Sequence, residues 1–307
     1  MIQDKKGYST SDISLLTKLF VERSGRLETP SLTMRSLVQE LRTRSGIDGP
    51  MKHLESLLAL RNIVEFDARN DMECDGRLEP KSSVFAGGFR MSIRRDMSNE
   101  RIRFTIAHEL CHTFFYELVP EIKFVPHQID KQEERLCNFG AAELLVPTHS
   151  IMVSASGLPV SMKALKLLAS TYGVSVEAMF SRLQFLNLWK CQMSVWYKMT
   201  NGKILLDRLY GRKWLNWHWE DESVITGALV GDRNAIFSGR TFIGFKDESG
   251  HNRVAPVYYQ LKKSGDTILA LWSRRAFAAD TRPASLFEAP RARRTGSFSK
   301  KYRDFLA

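Results

Sequence analysis

Arg101-Ile-Arg-Phe-Thr-Ile-Ala-His108-Glu109-Leu-Cys-His112-Thr-Phe-Phe-Tyr116 is the stretch from which the rest of this 307-residue chain is read. His108 and His112 stand four apart with Glu109 between them, the H-E-x-x-H pattern. On a helix, positions i and i+4 lie one above the other, so both imidazoles can reach one ion. Zinc accepts imidazole nitrogen readily, and a catalytic site keeps three protein ligands and one open position for water. Glu109 sits about 100° round the helix from His108, where it can take a proton from that water without binding the metal. Ser98 and Asn99 offer an N-cap, and Ile102, Ile106, Leu110 and Phe114 recur every four residues as a buried stripe. No Pro or Gly interrupts the run before Pro120. Two histidines on a partly buried helix would fit the same pattern, so a third ligand is needed.

Working outward, Glu133-Glu134-Arg-Leu-Cys137-Asn138-Phe-Gly-Ala-Ala-Glu143-Leu-Leu-Val-Pro147 is a second helical pattern, closed by proline. A carboxylate from a following helix completes the His2Glu site of thermolysin-like zinc enzymes. Together, A-H-E-L-x-H and E-x-L-C-N-x-x-A-A-E-L-L-x-P resemble the ImmA/IrrE family of metallo-endopeptidases over Arg101 to Pro147. The resemblance implies Zn2+ as cofactor, His108, His112 and Glu134 as its ligands and Glu109 as the catalytic base. Glu133 is the adjacent rival, turned about 100° away on the helix. Asn138 and Glu143 are read as supports behind the ligands or as helix-packing groups. Tyr116, His127 and His149 are candidates for stabilising the oxyanion.

Upstream, three helices are expected: one from Ile13 capped by Ser11-Asp12, one over Leu32 to Leu41, and one from Pro50 to Leu60 with proline in its first turn. Ile63-Val-Glu-Phe, Ser83-Val-Phe and Phe89 to Ile93 alternate as strands, broken at Asp75-Gly76 and Gly87-Gly88. Part of 83 to 93 is expected to be an edge strand that takes an extended peptide. Cys74 falls beside the expected cleft. Thiolate is a strong zinc ligand, and a fourth protein ligand would displace the catalytic water. We therefore hypothesise that Cys74 is an inhibitory latch.

Downstream, Pro159 to Leu188 carries two amphipathic patterns joined at Gly173-Val174-Ser175, a helix-turn-helix arrangement. A recognition helix there would present Glu177, Ser181, Arg182 and Gln184, a thin basic complement for a major groove, so plain helix packing is favoured. From Ser194 the chain reads as a hairpin turning at Asn201-Gly202 as type I′, then strands over 223–229, 241–245, 254–261 and 267–272. The resemblance implies a GAF-like sensor fold for this region.

Charge is uneven. From Cys191 onward there are 20 Lys and Arg against 11 Asp and Glu; before it, 25 against 23. That asymmetry suggests an anionic partner for the C-terminal third. Basic residues that track phosphates and rings that stack on bases mark single-strand binders. Arg212, Lys213 and Trp214, and the tail residues Arg291, Arg293, Arg294, Lys300 and Lys301 among Phe298, Tyr302 and Phe305, fit that description.

The expected fold class is α+β: a zincin-like metallopeptidase domain over 1–152, a helix-turn-helix-like segment over 153–188, a GAF-like domain over 189–282 and a basic tail over 283–307. No run of about 18 apolar residues predicts a membrane span, and the first residues lack the apolar core of a signal peptide. Four cysteines without regular spacing argue against a disulfide framework and fit a cytoplasmic protein. By resemblance, the activity is zinc-dependent cleavage of a partner helix-turn-helix repressor, derepressing stress, mobile-element or anti-phage defence genes, with DNA damage or single-stranded DNA as trigger. Two other readings are a DNA-binding regulator with a structural zinc and an anti-repressor that sequesters its partner uncut.

Overall fold

Ser98 caps the H-E-x-x-H helix by accepting a hydrogen bond from the Arg101 amide, and the helix, α4, runs over Asn99–Leu118. Its stripe of Ile102, Ile106, Leu110 and Phe114 is buried, as the four-residue spacing predicts. The computed structural model describes residues 13–26, 29–51, 53–81, 87–123, 130–198, 204–211, 217–218, 236–246, 249, 251–264 and 267–277.

Among these, contacts gather into two units, one within Met1–Ser150 with Tyr172–Val174, the other within Ile151–Thr171 and Ser175–Arg291. The first opens with α1 (Leu15–Arg23), α2 (Pro30–Arg44) and the short α3 (Glu55–Leu60). Ser14 caps α1, while Ser11 and Asp12 lie outside the described residues. The expected helix from Pro50 is cut to six residues. Arg42 holds the carbonyls of Ile47 and Gly49, and the half-buried Arg103 holds that of Met51, so guanidinium groups take the Gly49 and Met51 carbonyls that a helix from Pro50 would use. Burial lowers the pKa of both arginines, against nearby acidic charges that raise it.

Strands β1 (Ile63–Arg69), β2 (Gly76–Pro80) and β3 (Phe89–Arg94) form a sheet in the order β1-β3-β2, with β1 parallel and β2 antiparallel to β3. This corrects the expected edge strand over residues 89–93. Among the described residues, Phe89 to Ile93 is central and paired on both sides, whereas Gly76–Pro80, expected to contain a break, is an edge. Pro80 closes that edge strand, where a missing N–H does least harm. Residues 82–86, covering all of the expected Ser83-Val-Phe strand, are outside the described set. Buried Leu78, Phe89, Met91 and Ile93 form the inner face, while Glu65 pairs with Arg90 and Lys81 outside.

After α4 comes one helical turn, α5 (Pro120–Lys123), before α6 (Lys131–Leu145), which Asp130 caps through the amides of Gln132 and Glu133. Helix α6 packs against α2 and α4. Beyond Pro147 the chain re-enters helix as α7 (Thr148–Ser156). Buried Glu143 accepts from the Thr148 amide at 2.7 Å and hydroxyl at 2.9 Å, which starts that helix.

The second unit contains most of α7 and the helices α8 (Met162–Tyr172) and α9 (Val176–Phe185), with Ser175 capping α9. Strands β4 (Gln192–Lys198), β5 (Ile204–Tyr210), β6 (Trp217–His218), β7 (Ile236–Lys246), β8 (Asn252–Ser264) and β9 (Thr267–Ser273) form an antiparallel sheet ordered β5-β4-β9-β8-β7-β6. The β4–β5 hairpin pairs as expected; its Asn201-Gly202 turn and the 223–229 run lie outside the described residues. Met193, Val195, Trp196, Val257, Leu261 and Ile268 to Trp272 make its core. No helix among the described residues is long and apolar enough to cross a membrane.

Candidate metal centre

Helices α4 and α6 face one another, and His108, His112 and Glu134 meet between them. The two Nε2 atoms are 3.0 Å apart. Glu134 brings Oε2 to 3.3 Å from His108 Nε2 and Oε1 to 3.4 Å from His112 Nε2. A tetrahedral zinc ion with bonds of about 2.0–2.2 Å sets its ligand atoms roughly 3.3–3.6 Å apart. Each Glu134 oxygen stands at that distance from one imidazole nitrogen, and the separation between the two nitrogens is a little tight.

The far side of each ring explains why the near side is a donor set. His108 Nδ1 is 3.1 Å from Asn138 Oδ1, and His112 Nδ1 is 2.6 Å from Glu133 Oε1. Those acceptors draw the ring protons to Nδ1 and leave both Nε2 lone pairs facing Glu134. Three acceptors face to face repel unless a proton or a cation lies among them, so the residues fit a zinc ion. Burial pulls the His108 pKa down, but the Glu134 hydrogen bond and the Glu109 and Glu134 charges outweigh it, and the net direction is up.

A second convergence among the described residues joins His112, Glu133 and Cys137, all buried. It uses His112 Nδ1, and a 2.6 Å approach to Glu133 is a hydrogen bond to a carboxylate, too short to span an ion. Cys137 Sγ lies 3.5 Å from the same Nδ1. Glu133 is therefore the partner that sequence reasoning passed over. Its signal was present, since adjacent carboxylates on one helix can straddle a single imidazole.

Glu109 is buried on α4 beside the start of β2. Cys74 is exposed in the turn before β2 and belongs to neither donor group among the described residues. Cys111 is buried against Gly140 of α6, and burial pushes its thiol up to about 12. Tyr116 packs on Phe89 with ring centroids 5.4 Å apart, and His149 is exposed on α7. His127 lies outside the described residues, as do Arg212, Lys213, Trp214, Arg291, Arg293, Arg294, Lys300 and Lys301. On α9 the expected exposed Arg182 is instead buried at 4% exposure, its guanidinium 5.8 Å from the Phe185 ring centre. Arg182, the one basic side chain of that helix, thus turns inward, which weakens a groove-reading role.

A model of the IrrE N-terminal-like domain, Peptidase_M78, matches residues 76–184, which carry all four residues of the proposed centre. No curated protein matches the chain. Among solved structures, a Mycobacterium tuberculosis transcriptional regulator is similar at 14% identity and a TM-score of 0.49, covering 84% of this chain and 79% of that one.

Proposed function

With residues 76–184 a domain of the IrrE N-terminal-like peptidase family, we propose that this chain is a zinc-dependent endopeptidase that cuts a partner helix-turn-helix repressor. The observation that carries this reading is the triangle of His108 Nε2, His112 Nε2 and Glu134, backed by Asn138 and Glu133 and adjoined by Glu109. His108, His112 and Glu134 hold the ion. Bound there, zinc would polarise a peptide carbonyl and a water molecule. A Glu109 carboxylate oxygen takes the proton from that water as it attacks the carbonyl, and returns it to the departing amine. The edge strand β2 is the place for the substrate, as an extended segment added to the sheet.

Cleavage of the repressor derepresses stress, mobile-element or defence genes. The second unit serves as the sensor; its six-stranded antiparallel sheet supports the GAF-like assignment. Its excess of Lys and Arg supports single-stranded DNA, arising from DNA damage, as the trigger. Cys74, just ahead of β2, acts as the latch, so Cys74→Ala raises proteolysis in the absence of a signal; unchanged activity at full zinc content would remove the latch. Four free cysteines support a reducing, cytoplasmic setting.

The test is incubation of the purified protein with the repressor encoded beside it, with and without single-stranded DNA and a chelator. Glu109→Gln should keep its zinc and lose cleavage. A variant that keeps zinc and still derepresses in cells would favour sequestration without cutting. Salt-dependent duplex binding lost on substitution near Ser175 would favour a DNA-binding regulator.

A further inference from the structure

Gly76, the first residue of β2, runs so close to α4 that a methyl group on its Cα would stand 2.4 Å from Thr105 Cγ2, 2.8 Å from Glu109 Oε1 and 3.1 Å from Glu109 Cγ. Gly76 is not among the glycines with positive φ, so room rather than backbone conformation excludes a side chain. The approach is fixed from three sides. Asp75 receives Arg101 Nε at 2.6 Å from the first turn of α4, and lies 2.9 Å from Arg94 Nη2 of β3. The Arg94 amide donates to the Asp75 carbonyl at 2.9 Å. Thr105 is buried, and its hydroxyl donates to the Arg101 carbonyl at 2.9 Å, which holds this β-branched side chain in one rotamer.

We propose that Gly76 is a positioning residue for Glu109: its bare backbone is the wall that sets the Glu109 carboxylate in place. A side chain at 76 meets Thr105, which cannot turn, and Glu109, whose carboxylate sits at the end of a flexible stem. Glu109 is the group that gives way. A misplacement of about 1 Å in a reacting group costs roughly 10²-fold in rate. The kinetic part of this inference rests on the peptidase reading; the placement of the carboxylate does not.

The experiment compares wild type, Gly76→Ala, Thr105→Ser and the double variant Gly76→Ala/Thr105→Ser. Each is labelled with carboxyl-13C glutamate, and the Glu109 resonance is assigned by its loss in Glu109→Gln. Gly76→Ala should move that resonance, keep zinc affinity within about 3-fold and lower kcat roughly 10²-fold with little change in KM. Thr105→Ser removes the nearest obstruction, so the double variant should regain thermal stability but not kcat. An unmoved Glu109 resonance in Gly76→Ala, or recovery of kcat together with stability in the double variant, would overturn the inference. If Gly76→Ala does not fold, the double variant is read in its place; failure of both would assign Gly76 to folding and likewise overturn it. A wild-type protein that cuts no repressor sinks the peptidase reading, while the carboxyl resonance still decides the placement.

Discussion

Two polar networks, one in each unit, differ in where their hydrogen bonds end. In the second unit, Trp196 Nε1 and Trp272 Nε1 both donate to Ser194 Oγ, at 2.7 and 2.8 Å. A hydroxyl oxygen has two lone pairs, and the two indoles use them. In the first unit, the outward ring nitrogens of His108 and His112 meet Asn138 and Glu133, and the inward nitrogens meet each other and Glu134. The first arrangement closes on itself and glues a core. The second concentrates acceptors at one point, which a proton or a cation satisfies. A cluster of polar side chains marks a site when acceptors converge and marks architecture when donors and acceptors match.

The largest break in this contrast comes from His108→Ala. It removes one corner of the triangle, so zinc content measured by elemental analysis and repressor cleavage should both vanish. The fold should survive, because Ile102, Ile106, Leu110 and Phe114 still bury the other face of α4. Loss of cleavage with undiminished zinc would mean that the ion binds elsewhere.

Ser194→Ala should have the complementary effect. Two buried indole N–H groups lose their acceptor, at about 1–3 kcal/mol each. The tryptophan-reported unfolding transition should fall accordingly, while zinc affinity stays unchanged. A shift in zinc affinity would show that the two networks are coupled.

Glu133→Gln sharpens the comparison within the first network. It keeps an acceptor for His112 Nδ1 but removes the carboxylate charge behind the ring, so zinc affinity should fall about 10-fold, the low end for outer partners of ligating histidines. If Glu133 were the ligand in place of Glu134, the same change would cost as much as His108→Ala. Competition with a chromophoric chelator separates these outcomes.

How far the sequence disclosed each part follows from the range of the interaction that decides it. Helix α4 was legible because a cap, a four-residue stripe and the histidine spacing are all local. Strand β2 was not, because Gly76 and Pro80 look like turn residues until the sheet is assembled and one end is seen to press on α4. The helix expected from Pro50 failed for a long-range reason too, since Arg42 and Arg103 reach in from other helices. Glu133 and Glu134 were both visible on one helix, yet which of them faces Nε2 depends on where His112 stands between them.

Arg182 gives the smallest of these effects. An amphipathic helix after a Gly-Val-Ser turn can read a groove or pack a core, and its thin basic complement favours packing already in the sequence. The structure buries the guanidinium beside Phe185, and the exposed positions of α9 are Ala178, Ser181 and Phe185. A recognition helix needs donors that reach base edges, and these residues supply little beyond one hydroxyl. Arg182→Ala should therefore lower stability by about 1–2 kcal/mol, through lost packing of the stem and lost cation–π contact. It should leave affinity for duplex DNA and its salt dependence unaltered. A salt slope reduced by about one unit would instead count Arg182 as a phosphate contact and return α9 to the nucleic acid.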